Sequence, residues 1–211
     1  MKLAVFDFDS TLMDGETIDF LASELGLEEE VSLITKDAMD GKLDFFKSLQ
    51  ARVALLEGLP VVRVEEICQS LPLMKGAKET VSELKRRGYK VVCFSGGFRE
   101  ATRYFAKVLG LDGDFANTLH SENGILTGKV GGEMMFGESK GLMITRLQNL
   151  LGIDHRDTLV VGDGANDLSM FAHSSVRVAF CAKEILKEAA THQINEKDLT
   201  KVIEIVDSLG K

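Results

Sequence analysis

The sequence has 211 residues, with 25 lysines and arginines against 33 aspartates and glutamates, which gives a formal charge of −8. Its 45% hydrophobic and 27% charged residues exclude a disordered chain, and the length suits one α/β domain carrying an insertion. The acidic balance argues against nucleic acid or an anionic membrane surface as partner, since either needs a basic face. No run approaches the roughly 18 apolar residues of a membrane span. The first apolar run, 3–6, stops at Asp7 and leaves no signal-peptide core. Cys68, Cys93 and Cys181 are too scattered for a disulfide framework or a zinc site. Cys93 and Cys181 sit in apolar runs and are expected to be buried thiols in a reducing compartment, the cytoplasm.

In chain order, the first predicted strand, 3–6, runs into Asp7-Phe8-Asp9-Ser10-Thr11. Ligands of open α/β sheets bind outside the carboxyl ends of strands. Asp9 would share a face with Asp7 if the extended backbone persists, and two such carboxylates repel unless a cation or a proton intervenes. A solvated loop with an Asx turn is the plainer alternative. Residues 13–73 then carry no strand signal and read as helices near 16–25, 28–40, 43–57 and 62–70, with Gly26 and Gly41 closing the first two. The third carries Phe46, Leu49, Val53 and Leu56 as an apolar stripe. This segment is expected to be a helical cap inserted after the first strand.

The chain next alternates helix 77–87, strand 89–94, helix 99–109, helix 140–151, strand 158–161 and strand 176–180, with Gly88, Gly110 and Gly152 placed to end the helices. The strands are apolar without polar alternation, so they should be covered on both faces of a doubly wound parallel sheet. The core would comprise 1–12 and 74–211. Within it, Asn123-Gly124 between 117–122 and 125–130 signals a β-hairpin insertion over 115–136, with an ordinary surface loop as the alternative. Strand 89–94 ends in Ser95-Gly96-Gly97-Phe98, a hydroxyl beside flexible backbone N–H groups that could cradle an anion. Lys140 opens a helix, where the dipole disfavours it unless it faces an anion. Strand 158–161 ends in Gly162-Asp163-Gly164-Ala165-Asn166-Asp167, whose glycines allow a sharp turn that brings Asp163 and Asp167 to the edge holding Asp7. Carboxylates converging from separate strands suit a hard cation such as Mg²⁺.

Asp7-Phe8-Asp9-Ser10-Thr11, Ser95-Gly96-Gly97-Phe98, Lys140 and the 162–167 turn resemble, in order, the four motifs of the phosphoserine phosphatases of the haloacid dehalogenase superfamily. Glu16-Thr17-Ile18-Asp19 and 34–41 resemble that family as well, so the likeness spans essentially the whole chain. Some members carry an N-terminal regulatory domain, which a chain opening on its first strand is expected to lack. The resemblance implies Mg²⁺-dependent hydrolysis of O-phospho-L-serine through an aspartyl-phosphate. Asp7 would be the nucleophile and Asp9 the general acid and then base. The metal would be held by Asp7, Asp163 and the backbone carbonyl of Asp9. Ser95, Gly96 and Lys140 would bind the phosphoryl oxygens, Asn166 would contact phosphate or the attacking water, and Asp167 would orient Lys140 or the metal's waters. Glu16 would pair with the substrate ammonium and Arg52 with its carboxylate, although an arginine at the edge of an apolar stripe can also simply snorkel. Met39 and Phe45 could line the pocket or belong to the cap core. The expected partner is this small molecule alone, with no obligatory protein partner. The alternative is the same chemistry on another small phosphomonoester, such as phosphohomoserine or a sugar phosphate, or transfer to an acceptor alcohol.

Overall fold

The computed structural model describes residues 1–39 and 42–209. Seven strands form one sheet: β1 (Lys2–Asp7), β2 (Tyr89–Phe98), β3 (Gly113–Glu122), β4 (Ile125–Gly132), β5 (Thr158–Gly162), β6 (Val176–Phe180) and β7 (His192–Ile194). Their order is β4-β3-β2-β1-β5-β6-β7, and every pairing is parallel except β3–β4. β1 and β5 are central. From Leu3 onward the side chains of β1 are buried, as is the whole of β5. Such double coverage requires the continuous apolar runs that made these strands visible in the sequence.

The helices are α1 (Thr17–Ser23), α2 (Glu28–Met39), α3 (Phe45–Ala54), α4 (Val61–Gln69), α5 (Ala77–Arg86), α6 (Arg99–Leu109), α7 (Ser139–Leu151), α8 (Leu168–Phe171), α9 (Glu184–Ala189) and α10 (Lys201–Leu209). The first four lie between β1 and α5, with no strand among the described residues there. The apolar stripe of α3 turns inward at Leu49, Val53 and Leu56, while Phe46 stacks on Phe136 with centroids 5.1 Å apart. The α3–α4 connection is tied to the β3–β4 hairpin by backbone bonds from Gly58 N–H to the Leu126 carbonyl and from Val61 N–H to the Gly124 carbonyl. Gly110 and Gly152 end α6 and α7 in the left-handed conformation. The helix end expected at Gly41 and the side chain of Met39 lie outside the described residues.

Four sequence expectations change. β2 does not stop at Phe94 but runs to Phe98, with its register against β3 shifting between the two. β3 is a parallel neighbour of β2 before it becomes one arm of the hairpin, so the hairpin extends the sheet itself. The backbone after Asp7 does not stay extended: Phe8–Leu12 form a wide turn in which Ser10 has φ 57°. Cys181 is exposed, at φ 45° just past β6, because the apolar run containing it outlasts the strand; Cys68 and Cys93 are buried.

The first turn of α7 is held against α8 by a close approach. The Gly141 N–H donates to Ser169 Oγ at 3.1 Å, and a Cβ at Gly141 would lie 2.7 Å from the Ser169 carbonyl oxygen. Gly141→Ala should therefore cost roughly 1–3 kcal/mol of stability, read as a lower urea midpoint at constant m. An unchanged midpoint would contradict this packing.

Candidate active site

The C-terminal ends of β1, β2 and β5 meet the N-terminal turn of α7 around one buried ammonium. Lys140 is 3% exposed, and its Nζ lies 2.7 Å from both Asp7 Oδ1 and Asp167 Oδ1. Burial pushes this lysine's pKa down, but the two carboxylates outweigh it and hold the group above its ordinary value. The helix-start placement, unfavourable to a cation on dipole grounds, is offset by these anions. Asp167 bridges further: its Oδ2 accepts from the N–H groups of Asp163 and Gly164 at 3.0 and 3.1 Å, which ties Lys140 to the turn after β5. This contact also gives Gly162 a role other than the expected one. Neither Gly162 nor Gly164 has a positive φ. A Cβ at Gly162 would instead sit 2.3 Å from Asp167 Oδ2.

Carboxylate oxygens of Asp7, Asp163 and Asp167 lie within 4.8 Å of one another. Burial and the neighbouring carboxylates raise Asp163 to about 7 and Asp7 well above its usual value, with Lys140 opposing. An all-oxygen, anion-rich donor set of this kind fits a hard divalent cation, and its charge would reverse the repulsion. Asp167 already spends both oxygens on Lys140 and the turn, so Asp7 and Asp163 are the side chains with capacity for an ion.

The carboxylate of Asp9 is outside that cluster. Its Oδ1 accepts from Thr17 N–H at 2.7 Å and Thr17 Oγ1 at 2.6 Å, and its Oδ2 accepts from Ser95 Oγ at 3.3 Å. Burial raises its pKa, and these donors and Lys140 oppose the shift. The turn at Ser10 aims its hydroxyl at Glu16 Oε1, 2.7 Å away. Even so, burial and the charge of Asp9 raise Glu16 to about 8.

A cleft of about 530 Å³ opens above these groups, lined by Asp7, Asp9, Glu16, Arg52, Gly96, Asp163 and Asn166. Ser95, Lys140 and Asp167 are not among the lining side chains, but each contacts one that is: Ser95 bonds to Asp9, Lys140 pairs with Asp7, and Asp167 accepts from the Asp163 N–H. Phe45 lines the cleft from α3. Arg52 donates through Nε to the Ser48 carbonyl at 3.3 Å; burial lowers its pKa, against Glu16, Asp19 and Asp9. Three participants have no role assigned from the sequence, although Thr17 and Asp19 fall within the family-like 16–19 stretch. Thr17 clamps Asp9, Asp19 lines the cleft beside Arg52, and Lys183 lines it from the turn after β6 while its charge lowers Asp163. The position of Lys183 just past a predicted strand end was the signal that could have found it.

A haloacid dehalogenase-like hydrolase profile matches residues 1–174. The chain is 63% identical over 203 residues to the phosphoserine phosphatase of Wolinella succinogenes, covering 96% of this chain and 98% of that one. It is 48% identical to the phosphoserine phosphatase of Methanocaldococcus jannaschii, covering 97% of each. Among solved structures, a phospho-aspartyl intermediate analogue of a phosphoserine phosphatase aligns with TM-score 0.92 at 48% identity, over 97% of this chain and 98% of that one. A substrate-bound phosphoserine phosphatase complex aligns with the same score and identity over 97% of each chain. The chain belongs to the haloacid dehalogenase-like hydrolases and, among them, to the phosphoserine phosphatase family.

Proposed function

We infer that the protein is a phosphoserine phosphatase that hydrolyses O-phospho-L-serine to serine and phosphate. The observation carrying this reading is the pairing of two chemistries in one cleft: Asp7 beside buried Lys140 on one side, Glu16 and Arg52 on the other. Phosphoserine presents a phosphate, an ammonium and a carboxylate, and these side chains complement all three. Lys140 and the Phe8 N–H both occupy Asp7 Oδ1, which leaves Oδ2 to attack phosphorus. The P–O bond to serine breaks as the P–O bond to Asp7 forms. Asp9 gives its proton to the departing serine oxygen; burial favours the protonated form that this step needs. Thr17 holds Oδ1 with two short bonds while Ser95 reaches Oδ2 only at 3.3 Å, so Oδ2 is the oxygen suited to carry that proton. Water then attacks the phosphoryl group, Asp9 takes its proton, and phosphate leaves with Asp7 restored.

Ser95, the Gly96 N–H and Lys140 bind the phosphoryl oxygens, whose charge spreads during transfer. Asn166 contacts phosphate or the attacking water, and Asp167 orients Lys140. Mg²⁺ suits the site, held by Asp7, Asp163 and the backbone carbonyl of Asp9, and when bound it neutralises phosphate charge that would otherwise repel a carboxylate nucleophile. Residues 13–73 act as a cap that sets substrate choice, over a core of 1–12 and 74–211. Among the described residues no helix is long and apolar enough to cross a membrane. The free thiols suit the cytoplasm.

Phosphate release from a panel of small phosphomonoesters, with and without Mg²⁺, tests the assignment: phosphoserine should lead and chelation should abolish turnover, whereas equal rates across the panel would contradict it. Arg52→Ala should raise KM for phosphoserine about 10- to 100-fold, the worth of a charge-assisted pair, while largely sparing an aryl phosphate; equal losses on both would remove the carboxylate role. Glu16 carries a proton below about 8 and so pairs poorly with an ammonium there. KM for phosphoserine should therefore fall as pH rises toward that value, and Glu16→Gln should flatten the dependence, as steady-state profiles would show.

A further inference from the structure

Asn117 lies on β3 and does not line the cleft, yet it is fully buried and its side-chain bonds all run to two segments, the one holding Gly96 and the one leading to Lys140. Its Nδ2 donates to the Gly96 carbonyl at 3.0 Å and to the Met134 carbonyl at 3.1 Å, and its Oδ1 accepts from the Met134 N–H at 2.9 Å. The Gly96–Gly97 peptide is thereby gripped at both ends. Asn117 holds its carbonyl, and its N–H donates to Ser95 Oγ at 2.9 Å. That bond occupies a lone pair of the Ser95 hydroxyl and aims its single proton away from Gly97. In this structure the proton goes to Asp9 Oδ2, 3.3 Å away, on the floor of the cleft.

We propose that Asn117 is a positioning residue for phosphate binding: by fixing the Gly96–Gly97 peptide it orients the Ser95 hydroxyl, and by clasping Met134 it keeps that hydroxyl in register with the segment leading to Lys140. β2 cannot do this alone. Its register against β3 shifts between Phe94 and Phe98, so the ladder is interrupted where Ser95 and Gly96 lie, and a side chain from the neighbouring strand supplies the missing anchor. A buried amide making three bonds to backbone groups is rigid, as a preorganised anion site requires. The inference rests on the reading of Ser95 and Gly96 as phosphate ligands.

The test measures inhibition of phosphoserine hydrolysis by inorganic phosphate, together with thermal unfolding, in Asn117→Ala, Asn117→Ser, Ser95→Ala and the double variant Ser95→Ala/Asn117→Ala. A loss of folded enzyme lowers Vmax but leaves an inhibition constant unchanged. Asn117→Ala and Asn117→Ser should each raise the phosphate inhibition constant about tenfold, the worth of one hydrogen bond at the site. Because Asn117 acts through Ser95, the second substitution should add little in the Ser95→Ala background. Unchanged phosphate inhibition in either Asn117 variant, with only Vmax or melting temperature lowered, would overturn the proposal, as would fold-changes that simply multiply. Should Asn117→Ala leave too little folded chain, Asn117→Ser decides alone, since it opens a smaller cavity. If Ser95→Ala leaves phosphate inhibition unchanged, the reading of the cradle fails, and the role of Asn117 fails with it.

Discussion

The chemistry of the site is arranged around a buried ammonium between two carboxylates. Lys140 lies 2.7 Å from both Asp7 and Asp167, and the two carboxylates hold as a cation a lysine that burial alone would discharge. The pairing fixes three pieces of chain distant in sequence: the end of β1, the first turn of α7 and the turn after β5. It also divides the labour between two similar aspartates. Asp167 is spent entirely on structure, with one oxygen on Lys140 and the other on two backbone N–H groups. Asp7 receives Lys140 and the Phe8 N–H on Oδ1, which leaves Oδ2 for the chemistry proposed above.

Asp9 is held by a different set of partners, although it is only two residues from Asp7. The wide turn after β1, with Ser10 at φ 57°, carries its carboxylate away from the lysine and toward Thr17 at the start of α1. One strand end thus presents two acids in unlike surroundings: Asp7 beside a cation, as the proposed nucleophile, and Asp9 held by neutral donors, as the proposed acid–base group. Separating the roles of like groups by environment is how acid and base chemistry coexist at neutral pH. Since Thr17 opens the helical segment, Asp9 is gripped jointly by that segment and by Ser95 of the sheet.

Much of this was legible in the sequence, because parallel strands buried on both faces must be continuous apolar runs. The ends of 3–6 and 158–161 therefore pointed to Asp7 and Asp163, and the oddly placed Lys140 pointed to an anion. Arg52 and Glu16 needed the family resemblance, since an arginine at a stripe's edge is ambiguous on its own. What stayed hidden has physical causes. The parallel half of β3 is Gly-Asp-Phe-Ala, too polar and short to announce a strand. Asn117 and Thr17 act through hydrogen bonds across segments that periodicity does not register. Cys181 sits in an apolar run yet lies beyond the strand that would bury it. The glycine at 162 was noticed for flexibility, whereas the space it leaves for Asp167 matters more.

In the mechanism these contacts support, Asp7 bonds transiently to phosphorus while Lys140 holds its other oxygen. Rapid acid quenching during phosphoserine turnover, followed by mass spectrometry of the N-terminal peptide, examines that bond itself. The expected result is one added phosphoryl group on Asp7, absent in an Asp7→Asn protein that has also lost turnover. An Asp7→Asn enzyme that still hydrolyses phosphoserine, or a phosphoryl group found on another residue, would contradict it.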